Sequence, residues 1–195
     1  MQIMFKSLIA LSVCISLAAC AESTPKALQA IQQEPISTYN WGAMSYSDWN
    51  RTLKITDQCP AKFDGNEKRF VNIRPLNDVA SLLAISCELG AYQDGKLLYI
   101  LHADQISPLS PVLPKFEMNW SLETQTIVWG NRYVEGSFLV LENWYAGSGE
   151  CGYRALYPIA DVITQPSPKP QKVFGDSNCE DGTYVDDWPL IDKFN

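Results

Sequence analysis

The chain has 195 residues, with 15 basic and 22 acidic side chains, one histidine and a formal net charge of -7. Proteins that bind nucleic acid concentrate lysine and arginine to neutralise phosphates, so this balance argues against a nucleic-acid partner. A hydrophobic share of 46% and an aromatic share of 11% exclude an intrinsically disordered chain. The length is that of a protein with one hydrophobic core, and the acidic charge favours basic partners.

The N-terminal residues have the order of a cleaved lipoprotein signal. Lys6 supplies a positive charge, Leu8 to Leu17 is almost wholly apolar, and Leu17-Ala18-Ala19-Cys20 follows. The apolar run is shorter than the roughly 20 residues that cross a bilayer as a helix. Leu-Ala-Ala-Cys resembles the lipobox of bacterial lipoproteins, which implies cleavage after Ala19 and diacylglycerol and acyl chains, such as palmitate, on Cys20. An ordinary secretory signal with a chance cysteine is the alternative.

Residues 20–38 are predicted to form the lipidated N-terminus and a flexible tether. The segment is polar and contains two prolines and no aromatic residue, although Ala27 to Gln33 fits a short helix. Ala21 directly after Cys20 resembles the pattern of lipoproteins sent to the outer membrane. The sequence therefore predicts a lipid-anchored protein of the bacterial cell envelope that faces the periplasm; the outer membrane is favoured, and the inner membrane stays open.

Four cysteines remain once the signal cysteine and the lipidated one are set aside: Cys59, Cys87, Cys151 and Cys179. Four cysteines allow three pairings. The first two and the last two are equally spaced, which favours Cys59 with Cys87 and Cys151 with Cys179. A zinc site is the alternative, but the chain has no Cys-x-x-Cys pair and an oxidising compartment favours disulfides. No metal and no cofactor are predicted.

The first half of a single β-rich domain at 39–195 is predicted to span 39–105. Tyr39 to Thr56 is interpreted as one or two strands, and the turn Asp64-Gly65-Asn66 precedes an alternating strand from Lys68 to Arg74. Asn77 to Ser86 fits either a short helix or a buried strand, and both stay open. The hairpin signal Asp94-Gly95 precedes a strand at Leu97 to His102.

A stiff connector and a second half at 116–195 follow. Pro108, Pro111 and Pro114 recur every three residues, as in a polyproline II segment. The second half contains three predicted strands: Gln125 to Trp129, Ser137 to Tyr145, and Arg154 to Ile163. Three further prolines exclude regular structure as far as Lys172. The prediction is a mainly antiparallel β domain, a sandwich or barrel with an α+β variant open, stapled by two disulfides.

Motifs in both halves resemble one family of secreted or lipid-anchored proteins of Gram-negative bacteria, catalogued as domain of unknown function 1176. The resemblance covers about residues 57 to 191 and rests on the order of these motifs: Cys87-Glu88-Leu89-Gly90-Ala91-Tyr92, Leu113-Pro114-Lys115-Phe116-Glu117, Gly147-Ser148-Gly149-Glu150-Cys151-Gly152, Cys179-Glu180-Asp181-Gly182 and Trp188-Pro189-Leu190. It implies an envelope location, disulfides and a compact β-rich fold, and no activity. The acidic pair Glu180-Asp181 departs from the family pattern, in which an arginine is common.

No catalytic residue is predicted. His102, the only histidine, follows an apolar run on a predicted strand and is interpreted as structural. Ser148 does not lie in a Gly-x-Ser-x-Gly elbow, and the four remaining thiols are assigned to disulfides. Calcium-loop spacing is found at Asp176, Asn178, Glu180 and Asp187, but Asp181 occupies the position where an EF-hand needs glycine, so the fit is poor.

A candidate binding surface lies where a predicted strand passes into a glycine-rich loop before a bridged cysteine. Its residues are Trp144, Tyr145, Gly147, Ser148, Gly149 and Glu150. Rigid aromatic side chains beside a loop held at one end are typical of binding surfaces. The alternative is that the aromatics are core and the glycines only turn the chain.

The leading functional hypothesis is a non-enzymatic binding or accessory lipoprotein whose partner is another envelope protein. One version is an inhibitor-type binder of a basic protein such as lysozyme, since an acidic surface steers a basic partner by long-range attraction. A hydrolase of envelope polymers that uses paired carboxylates, and a passive structural lipoprotein, are the alternatives.

Overall fold

A computed structural model describes residues 40–59 and 70–194. The predicted signal peptide, Cys20, the tether with its short helix, and the turn Asp64-Gly65-Asn66 lie outside these ranges. Within them, no helix is long and apolar enough to cross a membrane.

The described chain begins with helical structure: a 3-10 turn at Trp41–Ala43, helix α1 at Tyr46–Leu53 and helix α2 at Ile55–Gln58. Helix α1 starts at a capping box, in which the side chains of Ser45 and Asp48 each accept a hydrogen bond from the other's backbone N–H. The prediction of strands over Tyr39 to Thr56 is therefore wrong. The aromatic and aliphatic residues that indicated strands include Trp49 and Ile55, which are buried on one side of these helices.

Eleven antiparallel strands form three sheets within the described residues. The first six strands are β1 (Val71–Pro75), β2 (Ala80–Leu89), β3 (Asp94–His102), β4 (Gln105–Leu109), β5 (Val112–Phe116) and β6 (Trp120–Thr124). The others are β7 (Ile127–Trp129), β8 (Asn131–Glu135), β9 (Phe138–Trp144), β10 (Gly152–Pro158) and β11 (Lys172–Asp176). The first sheet has the order β1-β2-β3-β4 with β7 also paired to β3, the second has the order β11-β10-β9-β8, and β5 and β6 form the third. The predicted antiparallel β class is confirmed.

The first sheet is buried on both faces. Leu82 and Ala84 of β2 pack in one cluster with Leu141 of the second sheet, whereas Leu83 and Ile85 pack in another cluster with the helices. Successive residues of a strand point to opposite faces, so a strand between two layers needs apolar residues at every position. This double burial explains the continuous apolar run in β2 and decides the open question at Asn77 to Ser86 in favour of a strand.

Both predicted disulfides are present. Cys59–Cys87 joins the end of α2 to β2, and Cys151–Cys179 joins the start of β10 to the C-terminal segment. The first bridge fixes the helical layer to the first sheet, and the second fixes the loop after β9 to residues 176–187.

The predicted polyproline connector is wrong. Pro108 lies in β4 and Pro114 lies in β5. Each of these strands pairs with one neighbour only, so a proline without an N–H costs no ladder hydrogen bond on the free side. Strand β7, from the second predicted half, pairs with β3 of the first.

Two boundaries also differ from the predictions. The β2–β3 turn lies at residues 90–93, where the Gly90 N–H donates to the Gln93 carbonyl, so Asp94-Gly95 belongs to β3 instead of the turn. Strand β10 ends at Pro158, and helix α3 (Ile159–Thr164) occupies the rest of the segment predicted as one strand.

Candidate functional site

The loop from Tyr145 to Cys151 is closed on itself. The Tyr145 N–H donates to the Cys151 carbonyl at 2.9 Å, and the Gly149 N–H donates to the Ala146 carbonyl at 3.1 Å. The Cys151–Cys179 bridge and a hydrogen bond from the Trp188 indole to the Glu150 carbonyl at 3.3 Å tie it to the C-terminal segment. We call this segment the 145–151 loop.

Trp144, at the end of β9, is held by polar contacts on one side of the sheet. Its indole N–H donates to Glu142 Oε1 at 3.0 Å, and Glu142, a buried carboxylate, also accepts from the Tyr133 hydroxyl at 3.2 Å. The Trp144 backbone N–H donates to Gln93 Oε1 at 3.2 Å, and this bond links β9 to the β2–β3 turn. The half-buried Trp144 ring is therefore a fixed part of the structure beneath the loop, with Gly149 packed near it.

Tyr145 contacts a different set of residues. Its ring stacks on Trp120 with centroids 6.5 Å apart and meets Tyr153 edge-on at 6.3 Å, while Phe116 lies 5.2 Å from Trp120. Tyr145 and Tyr153 also line a cleft of about 250 Å³ with Phe116 and Lys115. We call this the Tyr145 cleft. Trp144 and Tyr145 are adjacent in the sequence, but their side chains contact different residues because successive strand residues point to opposite faces.

Tyr92, in the β2–β3 turn, lies directly against the 145–151 loop. A Cβ added at Gly147 would come within 2.6 Å of its ring, so the absence of a side chain at Gly147 makes room for Tyr92. Tyr92 is nevertheless 79% exposed. Sequence reasoning missed this residue, although the Gly-Ala-Tyr motif was noted, because its contact with the loop is made by tertiary packing.

The remaining predicted site residues lie at the loop surface. The Ser148 hydroxyl donates to Glu150 Oε2 at 2.9 Å, and Ser148 is exposed. This bond occupies the hydroxyl with a carboxylate in the same loop. The structure thus brings Ser148 and Glu150 together.

An acidic segment adjoins the loop through Cys179. Residues 176–187 contain five acidic side chains and no basic one. Tyr184 is 54% exposed within it. The side-chain oxygens of Asp176 and Asn178 accept backbone N–H groups of Asn178 and Glu180, and a backbone N–H of Thr183 lowers the pKa of Asp181. These bonds shape the segment after β11 as a series of tight turns, in which Glu180, Asp181, Asp186 and Asp187 are exposed.

Among the described residues, no group of three or more histidine, cysteine, aspartate or glutamate side chains is placed to hold a metal ion. His102 is half-buried at the end of β3, in register with Ala80 and Gln105. His102 and Ser148 therefore lie on different elements, the first at the end of a strand and the second in the 145–151 loop.

No protein-family model matches the chain, and comparison with curated proteins and with solved structures found no match. The resemblance to the family of domain of unknown function 1176 rests on the motifs quoted above. The architecture defines an antiparallel β protein whose first sheet lies between a helical layer and a second sheet, with two disulfides.

Alkaline pH is expected to weaken the fold partly through Tyr145. Burial raises its pKa from the ordinary 10.0 to about 12, and a hydrogen bond from the Phe116 backbone acts in the opposite direction. Because the folded-state pKa exceeds the unfolded one, this contribution is fully present below the unfolded pKa and is lost as pH rises from 10.0 to about 12. Urea unfolding across this range should show a smaller loss for Tyr145→Phe than for the wild type. Equal losses would contradict the assignment.

Proposed function

We propose that this protein is a non-enzymatic binding lipoprotein of the bacterial envelope, anchored through Cys20 in the outer membrane, that captures a basic protein in the periplasm. The proposal includes membership of the family that its motifs resemble. The observation that carries it is the joining of an aromatic loop to an acidic segment by the Cys151–Cys179 bridge.

Three exposed tyrosines give this region the chemistry of a protein-binding surface. Tyr92, Tyr145 and Tyr184 are 79%, 43% and 54% exposed. Tyrosine supplies a large contact area at a low cost in side-chain entropy and is enriched among residues that dominate binding energy. Tyr145 is already stacked on Trp120, so little conformational freedom is lost when a partner covers it.

The charge next to these tyrosines selects a basic partner. Four of the five carboxylates of residues 176–187, those of Glu180, Asp181, Asp186 and Asp187, are exposed, and the segment contains no basic residue. Clustered charge of one sign raises the association rate of an oppositely charged protein and repels acidic ones. A strongly basic lysozyme is the partner class that this chemistry fits, and inhibition would follow from covering the enzyme's surface.

The full-length protein in detergent should bind and inhibit a basic lysozyme at micromolar concentration. Tyr145→Ala is expected to weaken binding about tenfold or more, because it removes a central aromatic anchor. Raising the salt concentration should also weaken the binding of the wild type, because salt screens the attraction between exposed charges. Calorimetry and a cell-wall lysis assay measure the two effects.

Two control variants accompany this measurement. Val79→Ala changes an exposed apolar residue at the opposite end of β2 from the Tyr92 turn, about 30 Å away by strand length, and should bind as the wild type does. Cys20→Ser should leave the membrane fraction and keep its affinity. The proposal fails if several lysozymes stay fully active and cross-linking in native envelopes captures no protein in a Tyr145-dependent way. Turnover of peptidoglycan by the purified protein would instead support a hydrolase.

A further inference from the structure

Three basic side chains converge on one cleft, although the protein as a whole is acidic. The cleft measures about 430 Å³, and its lining is polar throughout: Asn72, Arg74, Lys96, Asn131, Arg132 and Tyr133. These residues come from β1, β3 and β8, so they are contributed by both of the larger sheets. We call this the cationic cleft.

The three cations lie on strand faces that are turned towards the space between the two sheets. Arg74 is in register with Leu82, and Arg132 with Leu141, and both leucines belong to the cluster between the sheets. Lys96 precedes Leu98 of the same cluster by two residues, which places it on the same face of β3. Its side chain is only 13% exposed.

The positive charges in the cleft are incompletely neutralised. The Lys96 ammonium donates to Ser86 at 3.0 Å and lies 3.5 Å from the carboxylate of Asp94. Arg74 donates to the Arg132 carbonyl at 2.6 Å, which brings one guanidinium to the backbone of the other residue. One carboxylate among three cations leaves an excess of two positive charges in this group.

Arg132 also has unused hydrogen-bonding capacity. Its Nη1 donates to the Gly130 carbonyl at 2.9 Å, but its Nε is buried and has no partner among the described residues. Burial and the nearby Arg74 lower the pKa of Arg132 to about 10, and burial and Arg132 lower the pKa of Lys96. The guanidinium of Arg132 therefore stays charged at neutral pH while it is repelled by its neighbours.

Protection of the sheet edges does not account for this cluster. Inward-pointing charges on edge strands discourage pairing with other chains, and β1 and β8 are edge strands. Lys96, however, lies on β3, which pairs with strands on both sides. A lysine that is only 13% exposed, in a central strand beside two arginines, forms the kind of like-charge cluster that is typical of a functional site.

We propose that Arg74, Lys96 and Arg132 form a binding site for a phosphate group. Phosphate monoesters carry a charge of about -1.5 to -2 at neutral pH, which matches the excess of two positive charges. The planar donor fork of arginine fits tetrahedral oxyanions, and the amide side chains of Asn72 and Asn131 line the same cleft. The site is separate from the Tyr145 surface and does not rest on the proposed function.

Calorimetric titration of the full-length protein with inorganic phosphate, at ionic strength held constant with chloride, tests the site. Saturable binding to one site is expected, and Lys96→Met should weaken it about tenfold or more, because it removes a charged donor. Urea unfolding of the same variant in phosphate-free buffer shows whether it is folded, because the substitution also removes the hydrogen bond to Ser86. Lys172→Met, which removes an exposed lysine on β11, is the control and should change neither quantity.

A second arm distinguishes a free phosphate from a lipid headgroup. Cys20→Ser, which lacks the predicted lipid, is mixed with phosphatidylcholine vesicles with and without phosphatidic acid. Binding that needs both phosphatidic acid and Lys96 supports a headgroup, and binding of inorganic phosphate in solution supports a free phosphate. The absence of Lys96-dependent binding in both arms overturns the proposal. If Lys96→Met does not fold, Arg74→Gln on edge strand β1 replaces it.

Discussion

Replacing Cys59 and Cys87 with alanine is expected to lower the free energy of unfolding by about 3 to 4 kcal/mol. The two cysteines are separated by 28 positions, so the bridge removes a large loop-closure entropy from the unfolded chain. In the folded state it joins α2 to β2. Its loss should therefore also loosen the helical layer, which covers one face of the first sheet through Trp49 and Ile55.

The second bridge provides a matched control, because Cys151 and Cys179 are also 28 positions apart. The two double-alanine variants therefore lose the same loop-closure entropy. Any difference between their free energies of unfolding then comes from what each bridge does in the folded state. Backbone amides of α1 and α2 should exchange faster in the Cys59 and Cys87 variant only, because that bridge fixes the helices to β2. Urea unfolding gives the stabilities. If either variant had the same free energy of unfolding as the wild type, the stabilising role of its bridge would be contradicted.

Gly152→Ala is expected to cost about 3 kcal/mol or more, since a positive φ and a steric clash act together. Gly152 has a φ of +146°, and an added Cβ would lie 2.0 Å from the Asn143 carbonyl oxygen. Gly152 is also in register with Trp144, so relief of the clash would displace the strand end that carries Tyr145. The variant should lose stability in urea and lose affinity for a basic partner.

Gly136→Ala separates these two causes. Gly136 has a φ of +58°, but nothing lies within 4 Å of an added Cβ. Only the conformational cost remains, so a loss of about 1 to 2 kcal/mol is expected, with unchanged partner binding. Equal losses in the two variants would show that the close approach to Asn143 does not matter.

The parts of the fold that followed from the sequence are those set by local spacing. The equal cysteine intervals predicted both disulfides, and the apolar runs predicted the strands at Leu97 to His102 and along β9. The helices were missed because the aromatic residues near Trp49 were read as strand residues, whereas they are buried against β2. The capping box of Ser45 and Asp48 was the signal that could have revealed α1.

The site was predicted only where it is contiguous in the chain. The 145–151 loop was recognisable from its glycines and its cysteine, but Tyr92 reaches it from the β2–β3 turn and Trp120 from β6. The cationic cleft could not be predicted for the same reason, because its three cations come from β1, β3 and β8 and meet only in the folded protein. Lys96 was the one member of the cleft that the sequence could have indicated, because it is a charged residue directly before the apolar run of β3.

The two bridges also determine what a protease can do to this protein. Each joins segments 28 positions apart, so a single cut between Cys59 and Cys87, or between Cys151 and Cys179, produces two fragments that remain covalently linked. After the first cut, the helices stay attached to β2, and after the second, the acidic segment stays attached to the 145–151 loop. A nicked molecule therefore keeps its surfaces assembled, and its two fragments separate only when a reductant is added.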